Sequence, residues 1–148
     1  MIVYHSLISP NIGKYMDIKY LVVHCSGLPI EQLPSAEDIH RYHRNKNGWV
    51  GIGYHAVIRH DGTIENGRPP YWQGAHVKGH NHESIGVCLI GRGMNEFTDE
   101  QFESLWDVLQ QWREMFPDAE VVGHGDLDTA KYYCPGFDVR AWWYRINT

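Results

Sequence analysis

A strand-like apolar run ends in histidine at two places in this chain. Tyr20-Leu21-Val22-Val23 leads into His24, and Val121-Val122-Gly123 leads into His124. Short runs of β-branched and apolar residues read as buried strands. Two more such runs, residues 54–59 and 84–90, lie between them. Asp61-Gly62 is a two-residue hairpin signal that returns the first of these through Thr63-Ile64-Glu65-Asn66. Helix signals alternate with the strands. Ser35 caps a helix with Ile39 and Tyr42 on its inner face. Thr98, followed by Asp99 and Glu100, caps a longer one, because acids are favoured in a first turn. Phe102, Leu105, Trp106, Leu109, Trp112 and Phe116 then recur at helical spacing as a core face, and Pro117 stops the helix. Asp138 caps a last short helix carrying Val139, Trp142 and Trp143.

The order β, α, β-hairpin, loop, β, long α, β, loop, α predicts an α/β fold. Its centre is one mixed sheet flanked by helices, with chemistry in loops at strand ends. A chain of 148 residues suits a single domain. Residues 1–18 read as an N-terminal extension and 19–148 as the domain. A formal net charge of -5 leaves no electrostatic footprint for nucleic acid. No run reaches the roughly 18 apolar residues of a membrane span, and residues 1–6 show no secretory signal. Synthesis in the cytoplasm is therefore expected. A lone domain without a binding repeat reads as a monomer.

Three cysteines are an odd count, which does not suit a disulfide framework. Cys25 and Cys88 sit in strand-like runs and read as packing residues. Cys134 differs, lying in a loop between Lys131 and Pro135-Gly136. Two imidazoles and one thiolate can hold zinc and leave its fourth position open, so His24, His124 and Cys134 are a candidate metal site. Cys25 is not paired with His24 as a nucleophile, because neighbours on a strand point to opposite faces. His40 and His43 share a helix face but lack a third ligand nearby, and read as surface or packing residues. The glycines of residues 48–53 lack the order of a phosphate loop. His76, His80 and His82 form either a metal tract or a cluster facing a groove. The groove is favoured, because residues 84–90 anchor one end of their loop. Most of the six Trp and nine Tyr belong to the core, with some left to stack on sugars or peptides in that groove.

These pieces together resemble a known family. They are Val23-His24-Cys25-Ser26, Gly48-Trp49, Gly53-Tyr54-His55, Asp61-Gly62-Thr63, Gly74-Ala75-His76-Val77-Lys78-Gly79, Asn81, Ser84-Ile85-Gly86-Val87-Cys88-Leu89, Gly123-His124, Cys134-Pro135, Phe137-Asp138 and Trp142-Trp143. Their order resembles that of the zinc-dependent N-acetylmuramoyl-L-alanine amidases of the bacteriophage T7 lysozyme and peptidoglycan recognition protein type. The resemblance implies a zinc (Zn2+) site in a peptide-binding groove, with His24, His124 and Cys134 as ligands. It implies cleavage of the amide between N-acetylmuramic acid and L-alanine of the stem peptide, as in a phage or prophage endolysin released through a holin. Tyr54 and Lys131 take the catalytic positions, and His76 and Asn81 the substrate-binding ones. Phage members hold the lysine two residues before the cysteine, whereas Lys131 stands three before Cys134. The alternatives are a peptidoglycan-binding module without catalysis and a cytosolic amidase that recycles muropeptides.

Overall fold

The computed structural model describes residues 17–27 and 52–148. The expected helix from Ser35, with His40 and His43, lies outside these residues, as do residues 48–51 and most of the expected extension. Ile18, assigned to that extension, is already buried in the core.

Five strands form one sheet: β1 (Tyr20–Cys25), β2 (Ala56–Ile58), β3 (Ile64–Asn66), β4 (Ser84–Leu89) and β5 (Glu120–Gly123). Their order across the sheet is β3-β2-β4-β1-β5. β1 runs parallel to both β4 and β5, β2 runs parallel to β4, and only the hairpin β2–β3 is antiparallel. The hairpin turns at Asp61-Gly62 as expected, but its loop is His60-Asp61-Gly62 rather than two residues, because the Arg59 N–H donates to the Thr63 carbonyl and the Gly62 N–H to the Arg59 carbonyl. Gly62 has φ +87, and the Thr63 N–H donates to the Asp61 carboxylate at 2.9 Å. Three helices follow in the described residues: α1 (Asp99–Met115), the four-residue α2 (His124–Leu127) and α3 (Val139–Ile146). The sequence reading did not anticipate α2.

Strand alternation divides the side chains between the two faces. Leu21, Val23, Ile85, Val87, Leu89 and Val121 pack with Leu105, Val108, Leu109 and Trp112 of α1 and with Val139 and Trp142 of α3. Val22, Val122 and Val77 form a smaller cluster. The buried face of α1 includes Val108 and Gln101, whereas Trp106, expected in the core stripe, is 39% exposed. At 100° per residue, Trp106 flanks the line through 101, 105, 108 and 112. Thr98 caps α1 as expected, and Gln101 completes a reciprocal capping box. Gln101 also does something a cap alone would not. Fully buried, it donates from Nε2 to the carbonyls of Ile58 and Ile90 at 3.2 and 3.0 Å, bracing α1 against the ends of β2 and β4.

Candidate metal centre

β1 and β5 are parallel neighbours, and their register pairs Val23 with Gly123. The next residues, His24 and His124, therefore come out level with each other. Both stand at C-terminal strand ends, where open parallel sheets place their ligand sites. Their Nδ1 atoms face each other at 3.1 Å. Two nitrogens on one tetrahedral zinc lie roughly 3.3 Å apart, given bonds of about 2.0–2.1 Å.

Cys134 closes the triplet. Its loop is fixed by the backbone: the Cys134 N–H donates to the Lys131 carbonyl, and the Gly125 N–H to the Cys134 carbonyl, both at 2.9 Å. A Cβ on Gly125 would lie 2.8 Å from the Lys131 carbonyl, so the loop lies directly on α2. One donor atom from each of His24, His124 and Cys134 then falls within 4.8 Å of the others. Among the described residues, no other group of three His, Cys, Asp or Glu does this.

The electrostatics suit a cation. Burial drives the His24 imidazole well below the ordinary histidine range, with His76, His124 and His55 adding to the effect. Burial lowers His124 too; Asp128 opposes this, and the Lys131 charge reinforces it. Both rings are thus neutral and offer lone pairs. The Cys25 contact, with the two sulfurs 3.7 Å apart, and burial together push the Cys134 thiol up. Its thiolate therefore needs a cation beside it. The Cys25 N–H donates to that sulfur at 3.3 Å. Cys25, expected as a plain packing residue, thus touches a candidate ligand, whereas Cys88 is fully buried as expected.

Tyr54 packs its ring 5.0 Å from that of His24. Burial, then the thiols of Cys88, Cys134 and Cys25, push its phenol well above the ordinary range. It therefore stays protonated at neutral pH, as a hydrogen-bond donor. Lys131 ends an exposed turn of 3-10 helix, Thr129–Lys131, close enough for its charge to be felt at His124.

The other two expected site residues are placed differently. His76 is 8% exposed and stands behind His24, with its Nδ1 2.8 Å from His24 Nε2. It does not face an open groove. The side-chain carbonyl of Asn81 accepts the N–H groups of His76 and Val77 at 2.8 and 2.9 Å, so it is committed to shaping the loop. The three loop histidines do not converge. His80 pairs with Glu83 at 2.8 Å, and His82 is exposed. A sequence signal for the position of His76 was present in Gly86, a lone glycine inside a strand, which marks a close approach. A Cβ there would lie 2.5 Å from His76 Nδ1.

Cys134 and Tyr132 line one cleft of about 560 Å³ with Pro135, Phe137 and Arg140. A larger cleft of about 780 Å³ lies between α1 and the hairpin and includes none of the three donors.

Comparison with known proteins identifies the family and the fold. The family model described as N-acetylmuramoyl-L-alanine amidase matches residues 14–137. The chain is 38% identical to the endolysin of Enterobacteria phage K11 over 135 residues, covering 87% of each. It is 37% identical to the endolysin of Escherichia phage T7 over 130 residues, covering 83% of each. The solved structure of the N-acetylmuramoyl-L-alanine amidase LysC from Clostridium intestinale superposes with a TM-score of 0.77 at 28% identity, covering 90% of this chain and 87% of that one.

Proposed function

The chain belongs to the N-acetylmuramoyl-L-alanine amidase family, and from that premise we propose that it is a zinc-dependent peptidoglycan hydrolase of the phage endolysin type. The bond it cuts is the amide between the lactyl group of N-acetylmuramic acid and L-alanine of the stem peptide. As an endolysin it meets the wall after passing through a holin pore. The observation that carries the zinc assignment is the convergence of His24, His124 and Cys134 at the ends of two neighbouring parallel strands.

Bound zinc acidifies water toward a pKa of roughly 7 and polarises a carbonyl oxygen. The protein's own groups supply the rest. Tyr54, protonated and with its ring packed beside that of His24, is the residue we assign to orienting water or the scissile carbonyl. Lys131, on the rim, offers positive charge to the oxygen that gains charge as the amide carbon becomes tetrahedral. Tyr132 and Tyr133 stand beside Cys134, 82% and 55% exposed, with ring centroids 5.6 Å apart in an edge arrangement. They give the sugar of the substrate an aromatic surface to stack on.

The test is a digest of purified sacculi with the wild type and with Cys134→Ser, each with and without chelator, read by mass spectrometry. The expected result is release of stem peptides with a new N-terminal L-alanine by the wild type alone, stopped by chelator and restored by zinc. Binding to sacculi without release, or release that survives chelation, would overturn the proposal.

A further inference from the structure

We propose that His76 and Ser84 are positioning residues that fix which nitrogen of His24 is presented to the metal. The inference rests on reading His24 as a metal ligand.

The His80 carbonyl can only accept, and it lies 2.8 Å from Ser84 Oγ. Two oxygens this close need a hydrogen between them, and the serine hydroxyl has one to give. With that hydrogen committed, Ser84 Oγ can only accept from His76 Nε2, 3.2 Å away. His76 therefore carries its hydrogen on Nε2. A second proton would put a charge on a ring only 8% exposed, with no carboxylate among its partners. His76 Nδ1 is bare, and it faces His24 Nε2 at 2.8 Å, so that nitrogen of His24 carries a hydrogen. The remaining nitrogen, His24 Nδ1, is left with its lone pair directed toward His124 Nδ1. The reverse direction would leave the His80 carbonyl facing a hydroxyl oxygen with nothing between them.

The ring of His76 is also held in place sterically. A Cβ on Gly86 would sit 2.5 Å from its Nδ1, and one on Gly74 2.6 Å from its Cδ2. Glycine at both positions leaves a slot that the ring fills, with Asn81 pinning the backbone of His76 from the other side. An imidazole ligand whose second nitrogen is anchored in this way has a fixed tautomer and orientation.

The test uses the full chain and two readouts independent of catalysis. Nitrogen-15 correlation spectra of the histidine side chains, taken on metal-free protein at neutral pH, report each tautomer. His24 and His76 should both carry hydrogen on Nε2, and Ser84→Ala should break that pattern at His76. Competition with a chromophoric chelator then measures zinc affinity. His76→Leu should bind zinc about 10–100-fold more weakly. His76→Asn, whose side-chain carbonyl can accept the His24 N–H, should recover most of the loss. A His24 that carries its hydrogen on Nδ1, or a His76→Leu protein with wild-type zinc affinity, would overturn the inference. If His76→Leu does not fold, the tautomers of the wild type and of Ser84→Ala decide the matter. Peptide release is not read here, so failure of this inference is distinct from failure of the amidase proposal.

Discussion

His24, His55, His76 and His124 are all held below the ordinary histidine range, chiefly by burial. Unfolded, each would titrate near 6.5. Between that value and the lower folded one, the unfolded chain binds more protons, so stability falls as pH drops. His55 is the clearest case, lowered to about 4. Its Nδ1 accepts the Gly86 N–H at 3.0 Å, and its Nε2 meets the Trp72 carbonyl at 2.8 Å. The shift amounts to about 3 kcal/mol, fully lost once pH is below 4. Urea unfolding of metal-free protein should show stability declining from pH 7 to 4, with a shallower decline in His55→Asn. An equal slope in the variant would remove His55 from the account. Lys131 carries a different prediction. Lys131→Ala should keep its zinc and lose about 10²–10³ in rate, and wild-type turnover would show that the extra residue before Cys134 has moved the lysine out of reach. The candidate triplet, which the structure brings together, is legible in the sequence because each histidine ends a strand and the cysteine sits in its own turn. The place of His76 is legible only indirectly, through the lone glycine Gly86 in β4, because a loop has no periodicity to say which way a ring faces.

The caps and stripe of α1 are legible for the opposite reason, since helical spacing fixes which residues share a face. What spacing hides is the second duty of Gln101, whose carbonyl partners come from two strands distant in sequence. Gln101→Leu should leave those carbonyls unsatisfied and cost about 1–3 kcal/mol, read as a lower urea midpoint with unchanged zinc content. A neutral effect would mean that water replaces the amide. In the loop before Cys134, the paired Tyr132 and Tyr133 rings bury little on folding, so their removal should be felt in binding. A double alanine variant should show a raised KM for sacculi fragments and an unchanged kcat. A fall in kcat alone would place the rings in the chemistry instead.

For the whole molecule, the alternation of strands and helices gives the α/β class, and the Asp61-Gly62 turn gives the hairpin. The insertion of β4 between β1 and β2 is not readable from the chain, because it depends on pairing between segments far apart in sequence. Zinc should raise the melting temperature in proportion to the logarithm of its free concentration above Kd. A melting temperature indifferent to zinc would mean that the donors do not act on the folded state alone. His24 and His124 meet only because β1 and β5 lie side by side, although 100 residues separate them. A ribosome must therefore make the whole stretch between them before the two histidines can meet. Even then, β5 must slot in beside a strand far from it in sequence, and such long-range pairing is slow to form. Bringing the candidate donors together is thus an act of tertiary folding, complete only once β5 has taken its place beside β1.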